Sequence, residues 1–478
     1  MNTKSDKRGK GRIAGKLAKV FATLGLVSAA LPAVAEYTFF ARGGFKLNGG
    51  LTAVGGAIGT DDIQPLERRD SYYEGFLKPN LNFTWDLVEG QGTIYGKISG
   101  VGVIQGGDGD PLGATSGDDD DLGLEEAHLG WRGQYVDVKA GKLEFAIGDG
   151  FLINDCNFDS EFTSSATGVP QQRASDGSYW VAPYKACDSS VVASFNNGAA
   201  WRADAFYIKG DRNQLFTRIG GLNVEYLIGE GGANGKLGAM VAAIPEADGD
   251  VFFVTTHGRE GMEIFDVRAN GVKIPAVPGL TLYGELAFER GENPTTNFDY
   301  DAWAGYGEAN YTFENVMWTP LIGYRYGVWS GDDNLLDNEE GNFDPLFYYA
   351  GYRGWGTWYQ GEIAGEYLLF NSNQQTHMVK LQVHPLESLT VTGLYFNHSL
   401  DEKNYFEIPV TQTDFMDEFN LIVEWIPIPS IYVAGIVGYG ITGDAYEEVF
   451  ATPNPVTGAL VRADDNPAVY EIWVQFTY

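Results

Sequence analysis

Beyond its first 35 residues the chain has no run of the ~18 apolar residues that a membrane-spanning helix needs, which excludes a helical membrane protein. Basic residues are also scarce. The whole sequence holds 32 Lys and Arg against 64 Asp and Glu, and the first 35 residues carry seven of the former and one of the latter. The remaining 25 basic and 63 acidic residues give a formal net charge of −38, which excludes a nucleic-acid partner held through its phosphates. The five histidines, His128, His257, His377, His384 and His398, sit in no Gly-x-Ser-x-Gly or His-Glu-x-x-His frame, so catalysis finds no support. No Pro/Ser-rich linker or shift in composition divides the chain. One large domain therefore fits as well as the two or three that length alone suggests.

Residues 1–35 read as a signal peptide that is cleaved. Seven bases from Lys4 to Lys19 precede a short apolar core, Val20 to Leu31, and Ala33-Val34-Ala35 is a small-residue cleavage site. Export implies an oxidising compartment, where the two cysteines, Cys156 and Cys187, are expected to form a disulfide; the alternative is two unrelated thiols.

What the chain has in abundance is glycine (63 residues), aromatic side chains (14%) and period-two alternation. The last segment shows it most clearly. Tyr470, Ile472, Val474, Phe476 and Tyr478 share one face, while Glu471, Gln475 and Thr477 lie on the other. A strand with one apolar and one wet face suits a transmembrane barrel, and a closing strand that ends on an aromatic residue suits recognition by the outer-membrane barrel-assembly machinery. The other reading is a buried strand of a β-sandwich.

Eighteen alternating segments follow one another from Tyr37–Leu47 and Lys78–Leu87 to Ala468–Tyr478. Short connections, such as Pro385–Ser388, take turns with long ones, such as Asn48–Tyr73, Gln105–Asp121, Gly148–Lys185 and Ser330–Gln375. Trp358–Phe370 would break this rhythm as a strand and is placed inside the seventh long loop. The expected fold is all-β: a single 18-stranded antiparallel up-and-down barrel over residues 36–478, with long extracellular loops, periplasmic termini and lipid and lipopolysaccharide around it.

Charges opposite the apolar stripes must then face the lumen, because Arg or Lys turned to lipid at the midplane costs roughly 2–4 kcal/mol. This assigns Arg132, Lys142, Arg202, Arg268, Arg325 and Lys380 to the interior, with Glu144 and Asp204 among the acids. A barrel of this size is too wide for side chains to fill. The Gly148–Lys185 loop, with Phe151, Asp155, Arg173 and Trp180, is a candidate constriction if it folds inward; packing on the outer rim is the alternative. Asp108, Asp110, Asp118 and Asp120 form an acidic loop that could hold Ca²⁺ or stay solvated, as it lacks the spaced ligands of an EF-hand. No other cofactor is expected.

Several stretches resemble the alginate export family of outer-membrane proteins: Gly141-Lys142-Leu143-Glu144-Phe145-Ala146-Ile147-Gly148-Asp149-Gly150-Phe151-Leu152-Ile153, Tyr179-Trp180-Val181-Ala182-Pro183-Tyr184-Lys185-Ala186, Trp201-Arg202-Ala203-Asp204-Ala205-Phe206-Tyr207, and Ser330-Gly331-Asp332-Asp333-Asn334 followed by Phe343-Asp344-Pro345-Leu346-Phe347. The resemblance implies an 18-stranded barrel that passes a saccharide, in some members a polyanionic uronate, along arginines that Arg132, Arg202 and Arg325 match by position. The mixed signs of the interior charges and the acidic total depart from that pattern. A porin for small solutes, an enzyme on a barrel scaffold and a structural surface protein stand as the other readings.

Overall fold

Alternate side chains along each strand meet different media, and this separation builds the molecule. The computed structural model describes residues 37–478 except 64–69, 88–89, 110–119, 158–159, 165–169, 175–179, 212–213, 215, 249–257, 349–352, 359, 407, 454–459 and 462–464. The expected signal peptide lies outside the described residues. Eighteen antiparallel strands form the wall. They are β1 (Phe45–Asp61), β2 (Asp70–Asp86), β3 (Thr93–Gly107), β4 (Asp120–Arg132), β5 (Val136–Leu143) and β6 (Cys187–Asn196). The next six are β7 (Trp201–Lys209), β8 (Arg218–Leu227), β9 (Lys236–Glu246), β10 (Met262–Lys273), β11 (Leu280–Glu292) and β12 (Asp299–Thr312). The last six are β13 (Leu321–Trp329), β14 (Gln374–Leu386), β15 (Leu389–Leu400), β16 (Asp414–Ile428), β17 (Ile431–Thr442) and β18 (Ala468–Thr477). Each pairs with its neighbours in the chain, and β18 closes the barrel on β1, from Thr52↔Thr477 to Asp61↔Ala468.

The outer surface carries Leu129, Trp131, Trp201, Tyr207, Tyr226, Tyr324, Leu421, Tyr439, Tyr470 and Ile472, all exposed. In water such a belt would be an aggregation hazard, whereas in a bilayer it is the lipid contact. Trp358–Phe370 forms no strand. It lies in the loop between β13 and β14 and contains a one-turn π-helix, Gly365–Leu369.

The beginning of the barrel differs from the sequence expectation. Tyr37–Arg42 is not part of the first wall strand. It folds back at Gly43-Gly44, both at positive φ, and pairs with the start of β1. Tyr478 and Leu51 exchange two backbone hydrogen bonds of 2.8 Å just above it, so β18 and this hairpin strand together cover one edge of β1. Most of the expected long loop Asn48–Tyr73 is strand. Leu51–Thr60 hides its alternation because glycine and alanine replace the aromatic residues used elsewhere. A side chain at Gly49 would overlap the Phe39 ring, and one at Gly56 would overlap Trp180.

Two bulges re-aim interior charges. β5 shifts register between Gly141 and Leu143, with Gly141 at φ 132°, and ends at Leu143 rather than Ile147, which leaves Glu144 beyond the strand. A shift in the β3–β4 pairing lets the consecutive Glu125 and Glu126 both be buried, so Glu125 escapes a period-two reading.

Candidate functional site

The long loops supply apolar side chains that the wall does not need, and these fill part of the interior. The described residues of 144–186 and 330–373 include segments that pack against the inner face of the wall. They join at a parallel bridge, Ile153↔Phe347, with Phe347 N–H donating to Leu152 O (2.9 Å) and Asn154 N–H to Phe347 O (2.7 Å). Phe151, Leu152, Ile153, Phe343, Leu346, Phe347 and Trp358 form one buried cluster with Phe206, Ile208, Met240, Ile264, Tyr306 and Trp329 of the wall. Ile363, Tyr367, Leu368 and Leu369 form another with Phe415, Met416 and Tyr446.

Charged groups pin the loops. Arg259, wholly buried, grips Asp344 through Nε (2.5 Å) and Nη2 (2.7 Å) and Gln214 through Nη1 (2.8 Å). Arg353 joins Asp149 of one loop (2.6 Å) to Glu308 of β12 (2.9 and 3.1 Å). None of these pins belongs to the sequence-derived site. Asp149 and Asp344 lie in the stretches that carry the family resemblance, and Glu308 lies on the wet face of its strand.

The expected interior residues fall into three groups. Arg325 and Arg268 point inward but are sealed. Arg325 donates to the carbonyl of Gly356 (2.7 Å) and to Gln360 (3.3 Å), and it clamps the loop instead of facing an open path. Arg268 is buried against Asp266, Asn223 and Glu225. A second group forms a ladder of paired charges on β2–β5 and the residue just after β5. Lys78 meets Glu125 (2.9 Å) and Glu144 (3.2 Å), Lys97 meets Glu126, and Arg132 meets Asp137 (2.5 Å). The third group is less committed. Arg202 is 40% exposed and reaches Asp204 only at 3.5 Å, while Asp204 also accepts Ser194 and Asn223. Lys142 lies 5.9 Å from the Tyr184 ring centroid, and Lys380 has no ion pair among the described residues.

In the expected constriction loop, Phe151 is the centre of the buried cluster, Asp155 is buried and accepts the Asn157 N–H (3.0 Å), and Trp180 borders a cavity. Burial, the largest cause, pushes the Asp155 carboxyl well above the usual range. Arg173 lies in the hairpin Ser160–Ser164/Pro170–Ala174. Of the acidic loop, Asp110 and Asp118 lie outside the described residues. Asp108 accepts the Ser71 N–H (3.1 Å) and hydroxyl (3.3 Å), and Asp120 opens β4. Among the described residues no three metal-ligating side chains come together.

Cys156 and Cys187 are bonded, with Cα atoms 4.7 Å apart, and tie the inserted loop to the first residue of β6. Closing a span of this length contributes about 3–4 kcal/mol in the chain-entropy view. Replacing both cysteines with serine is therefore expected to leave the heat-resistant barrel but expose residues 157–186 to protease. Rapid thiol labelling of the unreduced folded protein would contradict the bond.

The wall is a closed antiparallel barrel of eighteen strands. Residues 197–406 match the alginate export family. No curated protein matches the chain. Solved structures share the fold at low identity. OccAB4 of Acinetobacter baumannii is 10% identical with TM-score 0.54, over 90% of this chain and 98% of that one. OccK2 (OpdF) of Pseudomonas aeruginosa is 12% identical with TM-score 0.51, over 90% and 97%. The outer membrane protein OprD of the same organism is 10% identical with TM-score 0.51, over 90% and 94%. The chain thus has the fold of outer-membrane porins, and its residues 197–406 match the alginate export family.

Proposed function

We propose that the channel admits a small saccharide-type solute, neutral or bearing a carboxylate, by facilitated diffusion and without chemical turnover. The observation that carries this reading is the ladder of paired bases and acids on β2–β5, with Arg202 and Lys142 loosely held beside it. Such a surface replaces hydration at several weak sites and lets a solute leave again. Uronate polymers fit less well, since Arg132 is paired, Arg325 is buried and two loops occupy the interior. The termini belong on the periplasmic side in this reading, with β18 presented to the assembly machinery.

Reconstitution in planar bilayers tests it. The double variant Arg132→Ser, Arg202→Ser is expected to lower anion relative to cation permeability by about two- to fivefold, the scale of exposed ion pairing at ~0.4–1 kcal/mol. The measurement belongs at low salt, where screening is weakest. Blockade by oligouronates should weaken in parallel. An unchanged reversal potential would show that these arginines do not set selectivity.

A further inference from the structure

A cavity of about 400 Å³ lies between the inserted loops and the closing strands, within the roughly 300–1,000 Å³ of small-ligand pockets. Four aromatic rings line it. Trp180 and Trp355 come from the two loops, Tyr432 from β17 and Trp473 from β18. Trp473 is the hub. Its ring centroid lies 5.6 Å from Trp180, 6.0 Å from Trp355 and 5.8 Å from Tyr432, and none of the three lies flat on it. All four rings stay half-buried, whereas Phe151 and Trp358 of the neighbouring cluster are sealed.

The rings are held from behind. Gly56 leaves the space that the Trp180 ring occupies, and Glu74 accepts the adjoining Val181 N–H (3.0 Å). Beside Trp355, the Gly356 carbonyl accepts Arg325 (2.7 Å). The Tyr432 hydroxyl donates to Glu424 of β16 (2.8 Å). Groups fixed in this way lose little freedom when a ligand arrives.

The polar groups decide the occupant. Among the described residues no Lys, Arg or His lines the cavity, which disfavours a carboxylate ligand. The acids are already engaged: Glu424 holds Tyr432, and Glu366 is buried with interactions of its own. Burial, and then the neighbouring Glu418, push the Glu362 carboxyl up to about 8, so it keeps its proton at neutral pH. The lining thus offers aromatic faces beside hydrogen-bonding groups with little free charge. A protonated carboxyl and the Gln475 amide both donate and accept, and the Glu424 carboxylate can accept more than the Tyr432 hydroxyl. A sugar ring has the matching pattern. The C–H groups of its face suit the electron-rich face of an indole, and its rim of hydroxyls suits the polar groups. We propose that this cavity is a subsite for one neutral pyranose ring, packed against the Trp180, Trp355 and Trp473 rings and hydrogen-bonded by Glu362, Glu424 and Gln475. The inference rests on the saccharide-channel reading and narrows it, at this position, to an uncharged sugar.

The methyl glycosides of glucose, galactose and mannose are the probes, titrated by calorimetry into the detergent-folded full chain. At least one is expected to bind saturably, with glucuronate and choline at least tenfold weaker. Trp355→Ala, in the loop, should weaken that glycoside at least tenfold while the heat-resistant barrel persists. If that variant fails to fold, Gln475→Leu, which keeps the side-chain volume, should weaken it severalfold. No saturable binding by any of the three, equal affinity for glucuronate or choline, or unaltered affinity in the folded variants would overturn the subsite. Bilayer recording separates this from the broader reading. A chain that conducts but binds no glycoside removes the subsite and keeps the channel, whereas saturable binding without conductance keeps the subsite and removes the channel.

Discussion

On the channel reading, Asp344→Ala should raise single-channel conductance and its noise. Arg259 has no exposed surface, and Asp344 receives it bidentately at 2.5 and 2.7 Å. The same carboxylate accepts the Leu346 N–H (2.8 Å), and the Asp344 N–H donates to Glu289 of β11 (3.0 Å). The Asp344 side chain therefore fastens the 330–373 loop to Arg259, while its backbone N–H ties the same residue to the wall. Removing one member of a buried ion pair takes a carboxylate from the other, at a cost of about 3–5 kcal/mol. The wall has eighteen strands of its own backbone pairing, so the strain falls on the seating of the loop. Single-channel conductance should rise with frequent transitions between levels, while heat-modifiable migration stays that of the folded barrel. Replacing both partners with apolar residues of similar volume, Arg259→Met with Asp344→Leu, removes the buried charge and should bring conductance back toward that of the wild type. Equal conductance in wild type and Asp344→Ala would mean that this pair does not hold the loop in place.

The wall was legible because lipid enforces a rule on every strand: one face apolar, the next wet. Trp131 beside Arg132, and Tyr324 and Tyr326 around Arg325, announce that rule in two or three residues. Where the wall faces its own aromatic loop residues, the rule changes and the signal fades. Leu51–Thr60 uses glycine because Trp180 occupies the space inside, and so it reads as loop. Glu125 was hidden by a bulge, which no period-two count can register. Trp473 was visible in phase with Glu471 and Gln475, an aromatic residue on the wet face of the closing strand. That anomaly marks the cavity, but only the fold brings Trp180, Trp355 and Tyr432 to it. The inward course of the loops was open in the sequence, since a pinned loop can lie inside or on the rim. Its resolution depends on contacts such as Ile153↔Phe347, made by residues 194 positions apart.

Trp358→Ala should have the other large effect, through packing instead of charge. Trp358 is fully buried at the meeting point of both inserted loops and the wall. Its ring lies 4.9 Å from Phe151 and 4.7 Å from Tyr306, and the Arg325 guanidinium sits 5.2 Å from its centroid. The indole N–H donates to Asp149 O (3.0 Å), and the carbonyl accepts Asn371 Nδ2 (2.5 Å). Truncating a buried tryptophan costs about 3–5 kcal/mol in lost contact and residual cavity. Here it also strips the aromatic face from Arg325, whose hydrogen bonds to Gly356 and Gln360 hold the same turn. The loop should leave its seat for part of the time, with higher conductance and protease cleavage within 353–373. Trp358→Phe keeps most of the ring packing but loses the indole donor, and it should fall between wild type and Ala on both measures. If Trp358→Ala resists protease as wild type does, the loop is held by its charged pins alone, and the aromatic cluster only fills space.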